Sequence, residues 1–228
     1  MDRKLHHSAT RRHALRRLVA VGAAGGGMLG LLRAALAADP ATGVRSIKGD
    51  VTIDGQPASI GQKIAPGQTV RTGAGSEAVF VIGMDAFLQR EDSTFAIDSV
   101  TGPRTGEVVL RYITGKVLSV FGKGRKRLIT STATIGIRGT GCYLEVEPAG
   151  TYFCLCYGSA VVQSNANPRL RQLVRTRHHE APLYIDTGTN ALAMARSQVI
   201  NHKDAELVML EGLVGRVPPF HGKEYQGY

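Results

Sequence analysis

The chain has 228 residues, with 28 Lys and Arg against 18 Asp and Glu, three Cys, no Trp and a formal net charge of +10. Residues 1–37 carry seven of those bases and one acid; removing them leaves 21 against 17, a net of only +4. So mild a charge on the body argues against nucleic acid as the partner, because that footprint belongs on the folded domain. The residues beyond position 37 are enough to bury about 70% of their unfolded surface, so one domain folds without a staple.

The N-terminus has the order of an export signal. Thr10-Arg11-Arg12-His13-Ala14-Leu15-Arg16 is a basic region, residues 18–32 are apolar, and Ala35-Leu36-Ala37 is a small-x-small cleavage site. The apolar stretch is diluted by Gly22, Gly25, Gly26, Gly27 and Gly30, and is too short to span a bilayer comfortably. Arg11-Arg12 resembles the twin-arginine signal, with Ala14 where that pattern usually has an aromatic and Arg33 beside the cleavage site. The resemblance implies recognition by the twin-arginine export machinery and delivery, already folded, to the periplasm; an ordinary secretory signal is the alternative. Membrane contact is expected only if the signal stays attached. Residues 38–46 read as a short linker.

From position 43 to 163 the chain is a series of short runs rich in Val, Ile, Thr and Phe: 50–53, 69–72, 78–82, 107–114, 116–121 and 127–132. Turn residues recur about every 8–12 positions, the spacing of an all-β roll, sandwich or barrel and not of βαβ units. Val108, Leu110 and Tyr112 alternate with Glu107, Val109 and Arg111, which predicts strands with one face buried and one wet.

Three blocks within this region carry a resemblance. They are Gly67-Gln68-Thr69-Val70-Arg71-Thr72-Gly73-Ala74-Gly75-Ser76-Glu77-Ala78, Val81-Ile82-Gly83-Met84-Asp85-Ala86-Phe87, and Thr130-Ser131-Thr132-Ala133-Thr134-Ile135-Gly136-Ile137-Arg138-Gly139-Thr140. Together, across residues 47–163, they resemble the FecR domain. Gly73 and Gly75 are read as positive-φ turn residues, and Arg138 as a buried cap of backbone carbonyls in preference to a ligand-binding group. Better-known members of that family pass a signal from an outer-membrane receptor to a sigma factor through a membrane helix and a cytoplasmic anti-sigma segment. Only 17 residues precede the apolar stretch here, so the sigma-regulating activity is not expected. The resemblance implies a stand-alone, non-enzymatic envelope sensing or interaction module, with a protein, glycan or lipid partner.

The cysteines carry the most chemistry. Gly141 to Gly158 reads as a hairpin turning at Pro148-Ala149-Gly150; a three-residue loop sets Cys142 opposite Cys156. Residues two apart share a strand face, so Cys154 and Cys156 point together, and an even register brings Cys142 to them. Downstream, Arg177-His178-His179-Glu180 and His202-Lys203-Asp204 supply imidazoles and carboxylates. Thiolate with imidazole suits zinc, iron or copper, which makes Cys142, Cys154, Cys156, His178, His179 and His202 candidate metal ligands. No standard zinc-finger or haem-attachment spacing is present. Two other readings stand beside the metal: a disulfide from Cys142 to Cys154 or Cys156, and three packed thiols. Adjacent histidines on an extended segment diverge, so only one of His178 and His179 is expected to face a given metal unless the chain turns.

The remaining signals are weaker. Gly122-Lys123-Gly124-Arg125-Lys126-Arg127 is read as a solvated loop, with lipopolysaccharide, a phospholipid headgroup or an acidic partner as the functional alternative. Asp85, Glu91 and Asp92 are read as surface carboxylates. Residues 164–228 form an extension with one helix over 203–214, capped by Asn201, whose apolar face of Leu207, Leu210, Leu213 and Val214 packs on the β domain. Such packing can carry His202 to the cysteines. A periplasmic metal-dependent or redox enzyme built on the Cys/His cluster is the competing function.

Overall fold

The computed structural model describes residues 42–98 and 107–223. The expected signal, with Arg11 and Arg12, lies outside the described residues. Among the described residues the fold is all-β with one short α-helix. The strands are β1 (Gly43–Lys48), β2 (Val51–Ile53), β3 (Gln56–Pro57), β4 (Thr69–Thr72), β5 (Glu77–Ile82), β6 (Asp85–Gln89), β7 (Ser93–Ile97), β8 (Val108–Val120), β9 (Lys126–Ile129), β10 (Ala133–Ile137), β11 (Gly141–Glu147), β12 (Gly150–Ser164), β13 (Arg171–Thr176), β14 (Leu183–Asp186) and β15 (Met194–Arg196). Helix α1 is Asp204–Leu213. The expected linker turns into structure at Gly43, where β1 begins and pairs with β5.

Pairing builds two sheets. The first runs β1-β5-β6-β8-β11-β12-β14-β15. The second runs β3-β2-β4-β7-β8-β9-β10-β12-β13, and within it β8 and β9 are parallel. β8 and β12 belong to both because each is long, 13 and 15 residues, and bends from one sheet into the other. The bend falls on a glycine in each case, Gly115 at φ 84 and Gly158 at φ 103, where a residue with a Cβ is strained. The break expected at Gly115 is therefore a corner inside one strand. Of the two turn glycines in the first block, only Gly75 takes a positive φ; Gly73 does not.

Alternation explains the core. Leu110, Tyr112, Leu128, Ile135 and Val162 of the second sheet meet Phe80, Phe87, Leu144, Phe153 and Leu155 of the first. Phe80 and Phe87 stack and Phe95 packs tilted against both, with centroids 5.0–5.6 Å apart, and each such ring contributes about 1.5–3 kcal/mol by leaving water. The other face of the first sheet is also apolar. Val79, Leu88, Leu118, Val120, Tyr143, Cys154 and Cys156 meet Leu207, Leu210, Leu213 and Val214 of the C-terminal segment there. The order of layers is second sheet, first sheet, helix.

Asp85 is buried, contrary to its reading as a surface group. It accepts from Lys126 Nζ at 3.1 Å and from the amide of Gly122 at 2.9 Å. Burial holds its carboxyl above the ordinary value, although the Lys126 ammonium pulls it down. Lys126 thus leaves the basic run to pair inside, while Lys123, Arg125 and Arg127 stay exposed.

Candidate metal centre

The hairpin register decides which cysteines meet. β11 and β12 turn over two residues, Pro148 and Ala149, so that Glu147 pairs with Gly150 and Cys142 with Leu155. This is one residue off the expected register. Cys142 therefore points with Leu155 into the core between the sheets, and Cys154 and Cys156 point to the opposite face, under α1. Cys142 is excluded from the cluster, and a disulfide from it to Cys154 or Cys156 is excluded with it; all three thiols are free and buried.

His179 arrives from the turn after β13. Its own φ is 59, its amide donates to Cys156 O at 3.0 Å, and the Glu180 carboxylate accepts from the amides of Arg177 at 2.6 Å and His178 at 3.1 Å. The chain does turn here, and the two histidines still diverge: His179 faces the cysteines, and His178 faces Asp204 and Phe220. His202 arrives from the segment before α1. Tyr152 Oη donates to Gln198 O at 2.9 Å, Asn201 Nδ2 donates to Glu145 Oε1 at 2.6 Å, and the Tyr143 ring stacks on the His202 ring at 4.7 Å. The helix begins one residue after Lys203, whose amide donates to Glu206 Oε2 at 2.9 Å; Asn201, expected as the cap, is committed to Glu145 instead.

Cys154 Sγ, Cys156 Sγ and one nitrogen from each of His179 and His202 lie within 4.8 Å of one another, and all four residues are buried. Cys154 Sγ is 3.4 Å from His179 Nδ1, which is 3.0 Å from His202 Nε2. Ligands around a tetrahedral zinc stand roughly 3.3–3.8 Å apart, given metal–ligand bonds of about 2.0–2.3 Å.

The outer nitrogens set the tautomers. His202 Nδ1 donates to the carbonyl of Ile200 at 2.6 Å, and His179 Nε2 donates to Asp204 Oδ1 at 3.1 Å. In neutral rings the two facing nitrogens, His202 Nε2 and His179 Nδ1, then both present lone pairs. A cation between them removes that repulsion, whether proton or metal. The carboxylate and carbonyl behind the rings are the outer groups that orient metal-bound imidazoles. Asp204 also accepts from His178 Nε2 at 2.7 Å, so His178 supports the site without facing the sulfurs.

The hydrogen bond from Cys156 holds the Cys154 thiol well below its ordinary value, against burial, with His179 and His202 adding to the fall. Burial, then the neighbouring Cys154, pushes Cys156 well up. One thiolate is therefore available at neutral pH, and the second awaits a cation. The residue that sequence reasoning missed is Tyr143. It follows Cys142, and alternation with the correct register places it on the cluster's face.

Among the other singled-out residues, Gly139 takes φ 60 as a turn residue, and Arg138 is exposed rather than a buried cap.

No family model matches the chain, and no curated protein matches it. Two crystal structures of a candidate anti-sigma factor from Parabacteroides distasonis, at 1.65 and 2.50 Å resolution, are similar to 57% of this chain with a TM-score of 0.47 and 7% identity. The chain matches 59% of their length.

Proposed function

We propose that this chain is an exported, non-enzymatic sensing or interaction module whose C-terminal segment is bolted to the β-sandwich by a metal held by Cys154, Cys156, His179 and His202. The observation that carries the metal is the convergence of two thiols and two lone-pair-bearing imidazole nitrogens within 4.8 Å. Zinc fits that donor set best, since closed sites of two thiolates and two imidazoles are structural zinc sites. Its role would be to tie the approach to α1 to β12 and the turn after β13, which the His179 amide already joins to Cys156 O at 3.0 Å. The sensing assignment rests on the three FecR-like blocks, and export on the Arg11-Arg12 signal.

Elemental analysis with thiol titration tests the site. The expected result is about one metal per chain, with Cys154 and Cys156 unreactive until the metal is stripped; a Cys142→Ala background removes the third thiol from the titration. A metal-free protein with two freely titrating thiols would sink the proposal. A redox or metal-dependent enzyme is the second reading, favoured by the lowered thiol of Cys154. Cobalt substitution separates the two: a saturated tetrahedral spectrum supports the bolt, and a position that exchanges added ligands supports the enzyme.

A further inference from the structure

The outward face of the second sheet is the side of the molecule that no other layer covers among the described residues. Its composition follows from register. Arg127, Gly136, Val161 and Leu173 lie in one row across β9, β10, β12 and β13, with Thr134, Gln163 and Arg171 in the next row and Ser159 and Arg175 on the other side. Arg125, Arg138 and Arg171 line a groove of about 560 Å³ on this face together with Gly136, Ser159, Val161 and the carboxylate of Glu107. Nothing lies within 4 Å of where a Cβ of Gly136 would stand, so the groove is open above it.

The charge on this face is lopsided. Arg127 pairs with Glu107 at 2.6 Å and Arg111 with Asp98 at 2.7 Å. Arg125, Arg138, Arg171 and Arg175 are exposed and form no ion pair among the described residues. The body as a whole is only mildly basic, so these four stand out against it. Guanidinium forks match phosphate oxygens in two-point contacts, which is the chemistry these four side chains offer a ligand. Between Arg171 and Arg175, on the same face of edge strand β13, Leu173 is 52% exposed. An apolar side chain set among arginines on an open, shallow face suits a bilayer interface, where the charges meet headgroups and the apolar group enters the acyl boundary.

We propose that this face binds anionic phospholipid headgroups, with Arg125, Arg138, Arg171 and Arg175 taking the phosphates and Leu173 reaching into the acyl boundary. The proposal is independent of the metal site, which lies beyond the first sheet. Co-sedimentation of the full chain with phosphatidylcholine vesicles, with and without phosphatidylglycerol, tests it. Residues 18–32 bring their own lipid affinity, so the readout is the difference between the wild type and variants of the face. Arg171→Gln and Arg175→Gln are expected to weaken binding to anionic vesicles about fivefold each, with less effect at high salt. Leu173→Ser should lower binding in a salt-insensitive way. Unchanged metal content and circular dichroism confirm that each variant is folded. Equal binding by wild type and arginine variants overturns the proposal. So does saturable binding of inorganic phosphate or of an acidic peptide to these arginines without a preference for anionic vesicles.

Discussion

Cys142 and Cys154 sit on neighbouring strands and are equally buried, yet their chemistry differs because one turn residue separates the expected register from the real one. Burial raises the Cys142 thiol, whereas Cys156 and two imidazoles lower that of Cys154. Two predictions belong at this scale. Cys156→Ser and His202→Ala should each abolish stoichiometric metal and lower unfolding free energy in urea by about 3 kcal/mol at a hundredfold excess of metal over Kd, while Cys142→Ala keeps the metal. Metal retention should also depend on pH in one direction. Protons compete with the metal for thiolate and imidazole, so acidification releases it, and a titration followed by a metal-sensitive dye should show retention rising with pH. The sign agrees with Cys154: a lowered thiol contributes stability above its unfolded value and loses it as pH falls through the lowered one.

Helix α1 shows how an element is fixed by more than its apolar face. Arg90 Nη2 donates to Glu206 Oε1 at 2.8 Å and to Asn201 O at 3.0 Å, which ties the helix start to the end of β6. Tyr157 Oη donates to Glu211, and Arg216 closes the helix end against the carbonyl of Met84 at 2.6 Å. Leu210, fully buried against the first sheet, supplies the packing. Leu210→Ala should cost about 2–5 kcal/mol and speed the reaction of Cys154 and Cys156 with a thiol reagent in the metal-free protein. The corner glycines are the second test. A Cβ at Gly158 would stand 2.7 Å from Thr140 Cγ2, and one at Gly115 2.2 Å from Ser93 Oγ. Either Gly→Ala change should cost at least about 1–3 kcal/mol from overcrowding, with the positive φ adding strain, read as a lower urea midpoint.

At the scale of the whole molecule, the extension is part of the fold: β13 and β14 pair with β12, and the segment through α1 covers the outer face of the first sheet. A chain ending at Ser197 should keep its β-rich circular dichroism, lose its metal and bind an apolar dye, because the Leu118, Val120 and Tyr143 surface is then uncovered. The sequence by itself determined the class of the molecule. Period-two patterning, turn residues at short intervals and one apolar helical stripe are local properties, and they specify strands and a C-terminal helix that packs, although the wet face expected of the strands is absent from the first sheet, which is covered on both sides. It also brought Cys154 and Cys156 to one face, since that needs only alternation along one strand. Tertiary structure alone decided the rest. Whether Cys142 joined them turned on a single residue of hairpin register, which pattern does not encode when both faces of the strand are apolar. That His179 and His202 meet over the cysteines, that Asp204 holds both His178 and His179, and that Arg138 and Arg171 share a groove depend on chain crossings between residues distant in sequence.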